Sequence, residues 1–386
     1  MLSKATAAAA IVGAVAGVAG AAGVTPGASV QRLASPPGIG GKTYPVGVTD
    51  DGALWVGSVY TETQLVPVAA TDTRGTWAVP ISPDWLSGDI TDVTGDGAEA
   101  VGMPRTSDGN RAAVIPLHGG EPKLLPIEGA SSLALGVSGD GRFVVGQTYL
   151  IGGPDGTEDH AFVHDRWLGR TRIVPISGVH WATLEGISAD GSTVFGRAGG
   201  DVAFRYFIAS TDTLVPEFLD PPQGAGEIVN ARDISADGGV VVGMCGTMGG
   251  DAQAAVWRGG VCELLGVPAG FAACTGIAVS GDGSTVFGDA YGHDGSTAAV
   301  MWDAEHGWRV LADVMRAHGL DPAPLRLEHI GVVSRDGRVV LGQDFSPGVG
   351  WRVVLPAETC PADVDGDGSA TVGDLLEFLG AFRAGC

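Results

Sequence analysis

Short apolar runs of Val, Ile, Leu and Ala follow one another along the chain from residue 28 onward, broken by glycine and polar residues rather than recurring at helical spacing. Runs of this kind read as short β-strands joined by tight turns. One unit recurs seven times: an apolar residue, Ser or Thr, any residue, Asp-Gly, then a short apolar run ending in Gly. The copies occupy 48–57, 93–102, 137–146, 187–196, 234–243, 279–288 and 333–342. Their Asp residues are spaced by 45, 44, 50, 47, 45 and 54 positions, and the second Gly always lies five residues after the first. Asp-Gly between two β-favouring runs is a hairpin signal, because Gly takes positive φ without steric cost and Asp bonds its own backbone. The pairs Asp51-Gly52, Asp96-Gly97, Asp140-Gly141, Asp190-Gly191, Asp237-Gly238, Asp282-Gly283 and Asp336-Gly337 are therefore read as structural turns rather than as a ring of ligands.

Each hairpin is followed by a third β-favouring stretch, from Trp77-Ala78-Val79 in the first unit through Ala161-Phe162-Val163 to Trp351-Arg352-Val353 in the last. Most units add a fourth, such as Arg172 to Ile176. Four strands in about 45 residues is the size of a β-propeller blade. The seventh unit lacks its fourth strand, while Val30 to Ala34 is a strand-like piece without a blade, so the N-terminal strand is expected to complete the last blade and close the ring. Val310 to Gly319, apolar at helical spacing and stopped by glycine, predicts one short helix before the seventh unit. The expected class is thus all-β: a seven-bladed β-propeller over 28–356, closed by an N-terminal strand and followed by a small calcium-loop/helix module at 360–386.

Composition adds compartment and partner class. Among 386 residues, 22 Lys plus Arg stand against 44 Asp plus Glu, and a formal charge of -22 repels phosphate backbones and anionic lipid, which excludes nucleic acid as a partner. Residues 1–22 carry Lys4, an Ala- and Val-rich run and small residues at Ala19, Ala21 and Ala22, the layout of a cleaved secretory signal peptide. The mature chain is expected to be exported and to have no membrane span. Five cysteines follow, Cys245, Cys262, Cys274, Cys360 and Cys386. Cys360 and Cys386 bracket the last segment and form the expected pair; the pairing of the other three is open.

The recurring Ser-x-Asp-Gly-x-x-Val-x-Gly, the Ala-Phe or Ala-Val third strand and the closing Ser334-Arg335-Asp336-Gly337 with Trp351 to Pro356 resemble bacterial extracellular HAF-repeat proteins. The pattern is also similar to WD-type repeats. The resemblance implies architecture and no catalytic residues.

In the tail, residues 363–374 place oxygen-bearing side chains at loop positions 1, 3, 5, 7, 9 and 12 with Gly at 6, which is EF-hand calcium spacing. With the Cys360-Pro361-Ala362 start and the Gly385-Cys386 end, the unit resembles a planctomycete dockerin-like module. That resemblance implies calcium ligands at Asp363, Asp365, Asp367, Thr371 and Asp374 and at the Ser369 carbonyl, and a cohesin-like or cell-surface partner. A dockerin has two such repeats and this chain has one.

These readings lead to an exported, non-enzymatic propeller that binds a protein or glycan, with a carbohydrate-active hydrolase or lyase as the alternative. Trp85, Trp181 and Trp308, in connecting segments, are the candidate stacking residues, whereas Trp257, Trp302 and Trp351 are expected to pack between blades. His160 and His164 share a strand face but lack a third ligand, so no metal is expected there.

Overall fold

The computed structural model describes residues 27–356, apart from 152–156, 175, 177–178, 200–201, 209–215, 227, 247–250 and 346–347. The segment 1–22, the calcium loop with Asp363, Asp365, Asp367, Ser369, Thr371 and Asp374, and the pair Cys360 and Cys386 lie outside the described residues.

Seven four-stranded antiparallel sheets stand in chain order around an axis. Blade 1 runs from Lys42–Val48 to Gly75–Ala78, blade 2 from Ile90–Val93 to Lys123–Leu124, and blade 3 from Ser131–Val137 to Arg170–Val174. Blade 4 runs from Ala182–Ile187 to Glu217–Phe218, blade 5 from Ile228–Ile234 to Val261–Gly266, and blade 6 from Ala273–Val279 to Gly307–Val310. Blade 7 takes three strands from the end of the ring, His329–Val333, Val339–Asp344 and Val349–Val354, and its fourth from the beginning, Ser29–Arg32. The closing strand pairs antiparallel, Ser29 with Val354 through Arg32 with Trp351. The helix α1 (Leu311–Ala317) buries Leu311, Ala312 and Met315 against the joint between blades 6 and 7.

Blade 1 departs from the sequence expectation. Its third strand is Leu65–Thr71, paired with Leu54–Tyr60, and Trp77 belongs to the fourth strand. The reason is connection length: the short Thr61 to Gln64 turn returns the chain at once beside the second strand, so that the first β-favouring run after the hairpin takes the third place. Blade 2 departs in a smaller way, with an added hairpin of Arg105–Thr106 and Gly109–Asn110 between its second and third strands.

The core is distributed over the joints between blades. Leu54, Val56 and Ala69 of blade 1 pack on Ile90, Ala100 and Ile115 of blade 2, and the joint between blades 3 and 4 buries Phe143, Val163, Leu184 and Phe204. A second strand therefore has both faces covered. Val241 packs toward blade 4 and Val242 toward blade 6, which is why these runs are continuously apolar instead of alternating. Trp257 and Trp351 are fully buried in such joints.

In every turn the Ser or Thr hydroxyl donates to the Asp carboxylate two residues on, as Ser188 does to Asp190 at 2.6 Å. That carboxylate accepts the N–H two residues further, and the hydroxyl accepts the N–H that opens the second strand. For Asp51, Asp96 and Asp237 the backbone N–H and then the hydroxyl hold the carboxyl below its usual range.

Two outcomes are expected. Gly283 sits at φ 72°, and a Cβ there would lie 2.6 Å from Val240 Cγ2; Gly295 sits at φ 83° in open space. Thermal unfolding should show Gly283→Val costing more than about 1 kcal/mol and clearly more than Gly295→Val, since only the first adds a collision to the strained φ; equal costs would contradict the blade contact. Deleting residues 27–34 should lower Tm by leaving the Val349–Val354 edge unpaired, and an unchanged Tm would contradict the closure.

Candidate functional site

The ring has two chemically different mouths. At the mouth formed by the turns, neighbouring blades are tied by backbone hydrogen bonds in sequence: Asp50 N–H to Gly95 O at 3.2 Å, Gly95 to Gly139 at 2.9 Å, Gly139 to Ala189 at 2.9 Å, Asp190 to Ala236 at 3.1 Å, Ala236 to Gly281 at 2.9 Å and Gly281 to Arg335 at 2.7 Å. Arg335 Nε then donates to Asp50 Oδ1 at 3.1 Å, joining blade 7 to blade 1. A Cβ on Gly281 would stand 2.9 Å from Arg335 O, so the close approach of blades at the axis requires glycine there.

Behind this mouth lies an axial cavity of ≈ 190 Å³. Every inner strand has a register slip at the same place, and the extra residues Val46, Thr91, Leu135, Glu185, Arg232, Ile277 and Gly331 all line the cavity. A bulge re-aims one side chain, here toward the axis. The residue after the bulge is Asp92 in blade 2 and Asp233 in blade 5. Each carboxylate accepts its own strand's next N–H at 2.8 Å and the next blade's N–H at 2.9 Å, Val137 for Asp92 and Val279 for Asp233. Burial outweighs these bonds and the nearby Arg335 charge, so that Asp92 is pushed up to about 6 and Asp233 is raised also. Both groups retain a little accessible surface, which faces the cavity.

The opposite mouth carries the exposed chemistry. Three residues after the closing glycine of the repeat stand Tyr60, Tyr149, Tyr291 and Phe345 in blades 1, 3, 6 and 7, exposed by 52%, 36%, 37% and 56%. Between blades 7 and 1 the mouth deepens into a cleft lined by Tyr44, Tyr60, His329 and Gln343. Tyr44 and Tyr60 pack edge to face at 4.8 Å. His329 Nδ1 bonds the fully buried carboxylate of Asp289 in blade 6, which also accepts Ile330 N–H at 2.9 Å. Ser58 donates to Asp89 at 2.9 Å. Burial raises the Asp89 carboxyl, and burial followed by the Asp89 charge raises the Tyr60 phenol.

The tryptophans named as stacking candidates sit elsewhere. Trp85 is buried between blades 1 and 2, because the segment that carries it folds back over the joint, and Trp308 donates its indole N–H to Leu265 O between blades 5 and 6. Trp181 forms an isolated bridge with Asp159 and is partly buried. His164 is buried on Thr171, and among the described residues no group of three His, Cys, Asp or Glu is placed to hold a metal. Cys245, Cys262 and Cys274 are free thiols. The aromatic positions were missed although the repeat marks them, three residues past its closing glycine.

No protein-family model matches the chain, and no curated protein sequence matches it. Among solved structures it is similar to an oligogalacturonate lyase from Vibrio parahaemolyticus, at 12% identity and a TM-score of 0.58 over 87% of this chain and 99% of the lyase. An oligogalacturonate lyase in complex with manganese is similar at 11% identity and a TM-score of 0.57, over 86% and 98%. TolB from Acinetobacter baumannii aligns at 12% identity and a TM-score of 0.43, over 78% and 79%. The likeness to the two lyases is one of fold, and the chain is a seven-bladed β-propeller. No helix among the described residues is long and apolar enough to cross a membrane.

Because Asp92 binds its proton more tightly folded than unfolded, the folded state holds more protons between about pH 4 and pH 6, and stability falls as pH rises through that window. Asp92→Asn should flatten the decline of Tm between those limits. A slope unchanged in the variant would show that Asp92 is not desolvated.

Proposed function

We propose that the protein is an exported, non-enzymatic β-propeller of the HAF-repeat kind that binds a protein or carbohydrate at the mouth opposite its turns. The observation that carries this reading is the set of exposed aromatics at one repeat position, all within two residues of the end of the second strand and so at one mouth. A rigid ring presenting aromatic side chains at one mouth is suited to binding, because the anchors need no ordering when the ligand arrives. The signal-like segment 1–22 supplies export. The dockerin-like tail, with its four carboxylates in a twelve-residue loop, supplies a calcium-dependent attachment to a cohesin-like or cell-surface partner.

A second reading, a secreted carbohydrate-active hydrolase or lyase, is favoured by His329. A buried carboxylate holding one ring nitrogen and a cleft beside the ring is the layout of an oriented general base. The two lyase neighbours are compatible with that reading at the level of fold.

The test is capture from the producing organism's exoproteome by the full chain and by a chain ending at Pro356, with and without calcium. Loss of part of the captured set on chelation, only for the full chain, supports the attachment role. Calorimetry should show calcium heat for the full chain, weakened by Asp363→Ala and absent from the shorter chain; equal heats would remove the calcium assignment. Release of unsaturated or reducing ends from polysaccharide, lost in His329→Ala, would replace the binding reading by the enzymatic one.

A further inference from the structure

Between blades 7 and 1 the aromatic mouth forms a cleft of ≈ 430 Å³, with Tyr44 and Tyr60 on one side and His329 and Gln343 on the other. We infer that this cleft is a subsite for one unit of a neutral saccharide, stacked on Tyr60 and hydrogen-bonded by its hydroxyls to His329; the inference rests on the reading of this mouth as the ligand face and names the ligand class.

Three observations converge. The first is the aromatic surface. Tyr60 is half exposed, yet its ring is braced edge-on by Tyr44, and Phe345 is exposed beside His329 with ring centroids 5.3 Å apart. A braced, exposed ring matches the C–H face of a sugar, which is apolar at its centre and polar at its rim, as tyrosine itself is.

The second is the sense of the hydrogen bonds. The Asp289 carboxylate can only accept, so the His329 nitrogen bonded to it, Nδ1, carries the hydrogen, and in the neutral ring Nε2 is left as an acceptor. The phenol oxygens of Tyr44 and Tyr60, across the cleft, accept and donate alike. Hydroxyl groups, which both donate and accept, match a wall made of an imidazole acceptor and two phenols.

The third is charge. No Lys or Arg stands among the described residues lining the cleft, the carboxylates of Asp89 and Asp289 adjoin it, and the chain as a whole carries -22. Lys42, the cross-strand partner of Tyr60, lies with its stem near Gly348 and does not line the cleft. A uronate would enter this field against its own sign. The cleft therefore selects an uncharged sugar even though its fold neighbours are named for acting on an acidic one.

The test is calorimetric titration of the full chain with cellohexaose, mannohexaose and xylohexaose as neutral probes and tetragalacturonate as the acidic one. At least one neutral probe should bind, and tetragalacturonate should bind at least tenfold more weakly than the best of them. Tyr60→Ala should weaken that binding about tenfold or more, Tyr60→Trp should retain it, and Tyr149→Ala, at the same repeat position in blade 3, should leave it unchanged. Unaltered Tm and far-ultraviolet circular dichroism establish that the variants are folded, as the exposure of Tyr60 leads one to expect. Preference for tetragalacturonate, binding indifferent to Tyr60, or no binding of any neutral probe overturns the inference. If the sugars fail but exoproteome capture still depends on Tyr60 and Phe345, the ligand face stands and only its saccharide assignment falls; if capture is equally indifferent to both residues, the face falls with it.

Discussion

The joint between blade 7 and blade 1 is the constraint on which the rest of the ring depends. Every other joint connects segments adjacent in sequence, whereas this one must bring residues near 30 against residues near 350. It is made twice. At the outer rim the Ser29–Arg32 strand completes the blade 7 sheet, and at the axis Arg335 reaches Asp50 where the other blades use backbone bonds. A side-chain bond at the seventh position relaxes the geometric demand, since an arginine spans a gap that a backbone pair cannot. Arg352 adds a further tie, with Asp72 at 3.4 Å. Until these contacts form, the blade 7 sheet has a free edge and the facing sides of blades 7 and 1 lack their apolar partner, so closure and core formation are one event.

The same axial crowding explains the sequence of the repeat. Glycine and alanine dominate the position that meets the next blade, and the exceptions, Asp50 and Arg335, occur together at the joint where the backbone bond is replaced. One step further in, Asp92 and Asp233 fasten blade 2 to blade 3 and blade 5 to blade 6 with a carboxylate shared between two N–H groups. Desolvation makes each of these fasteners costly in its charged form, while the turn carboxylates Asp51, Asp96 and Asp237, near the surface, are stabilised as anions. The inner and outer carboxylates therefore oppose one another as pH falls: protonating the inner set relieves the ring, protonating the outer set loosens its turns.

Much of the fold is written locally. The Asp-Gly hairpins, the missing strand of the last unit and the short helix before it are all matters of sequence-adjacent pattern, and the architecture follows from counting them. Blade 1 was misread because two β-favouring stretches follow its hairpin and the choice between them is made by turn length, not by composition. The seven bulges are illegible for a deeper reason. They arise where straight strands must bend at a crowded axis, a demand of closure that leaves Thr91, Glu185 and Arg232 with no common residue type to mark the place.

The candidate site was hidden by a choice between faces. Tryptophan in a connecting segment is ambiguous, since that segment can fold over a joint, as at Trp85, or stand clear of it. A residue at fixed distance beyond the closing glycine is not ambiguous once the ring is known, because the second strand always runs away from the turns and ends at the other mouth. Tyr60, Tyr149, Tyr291 and Phe345 interrupt an otherwise buried strand at its last turn outward, where no neighbouring blade remains to cover them. Blades 2, 4 and 5 have Arg105, Gly199 and Gly246 there, so the aromatic surface is confined to part of the rim, and it is continuous only across blades 6, 7 and 1. The closure joint lies inside that arc. The joint that needs the most reinforcement is thus also the one whose cleft carries Tyr60 and His329, and a ligand bound there would touch blades 1 and 7 at once and favour the closed ring by mass action.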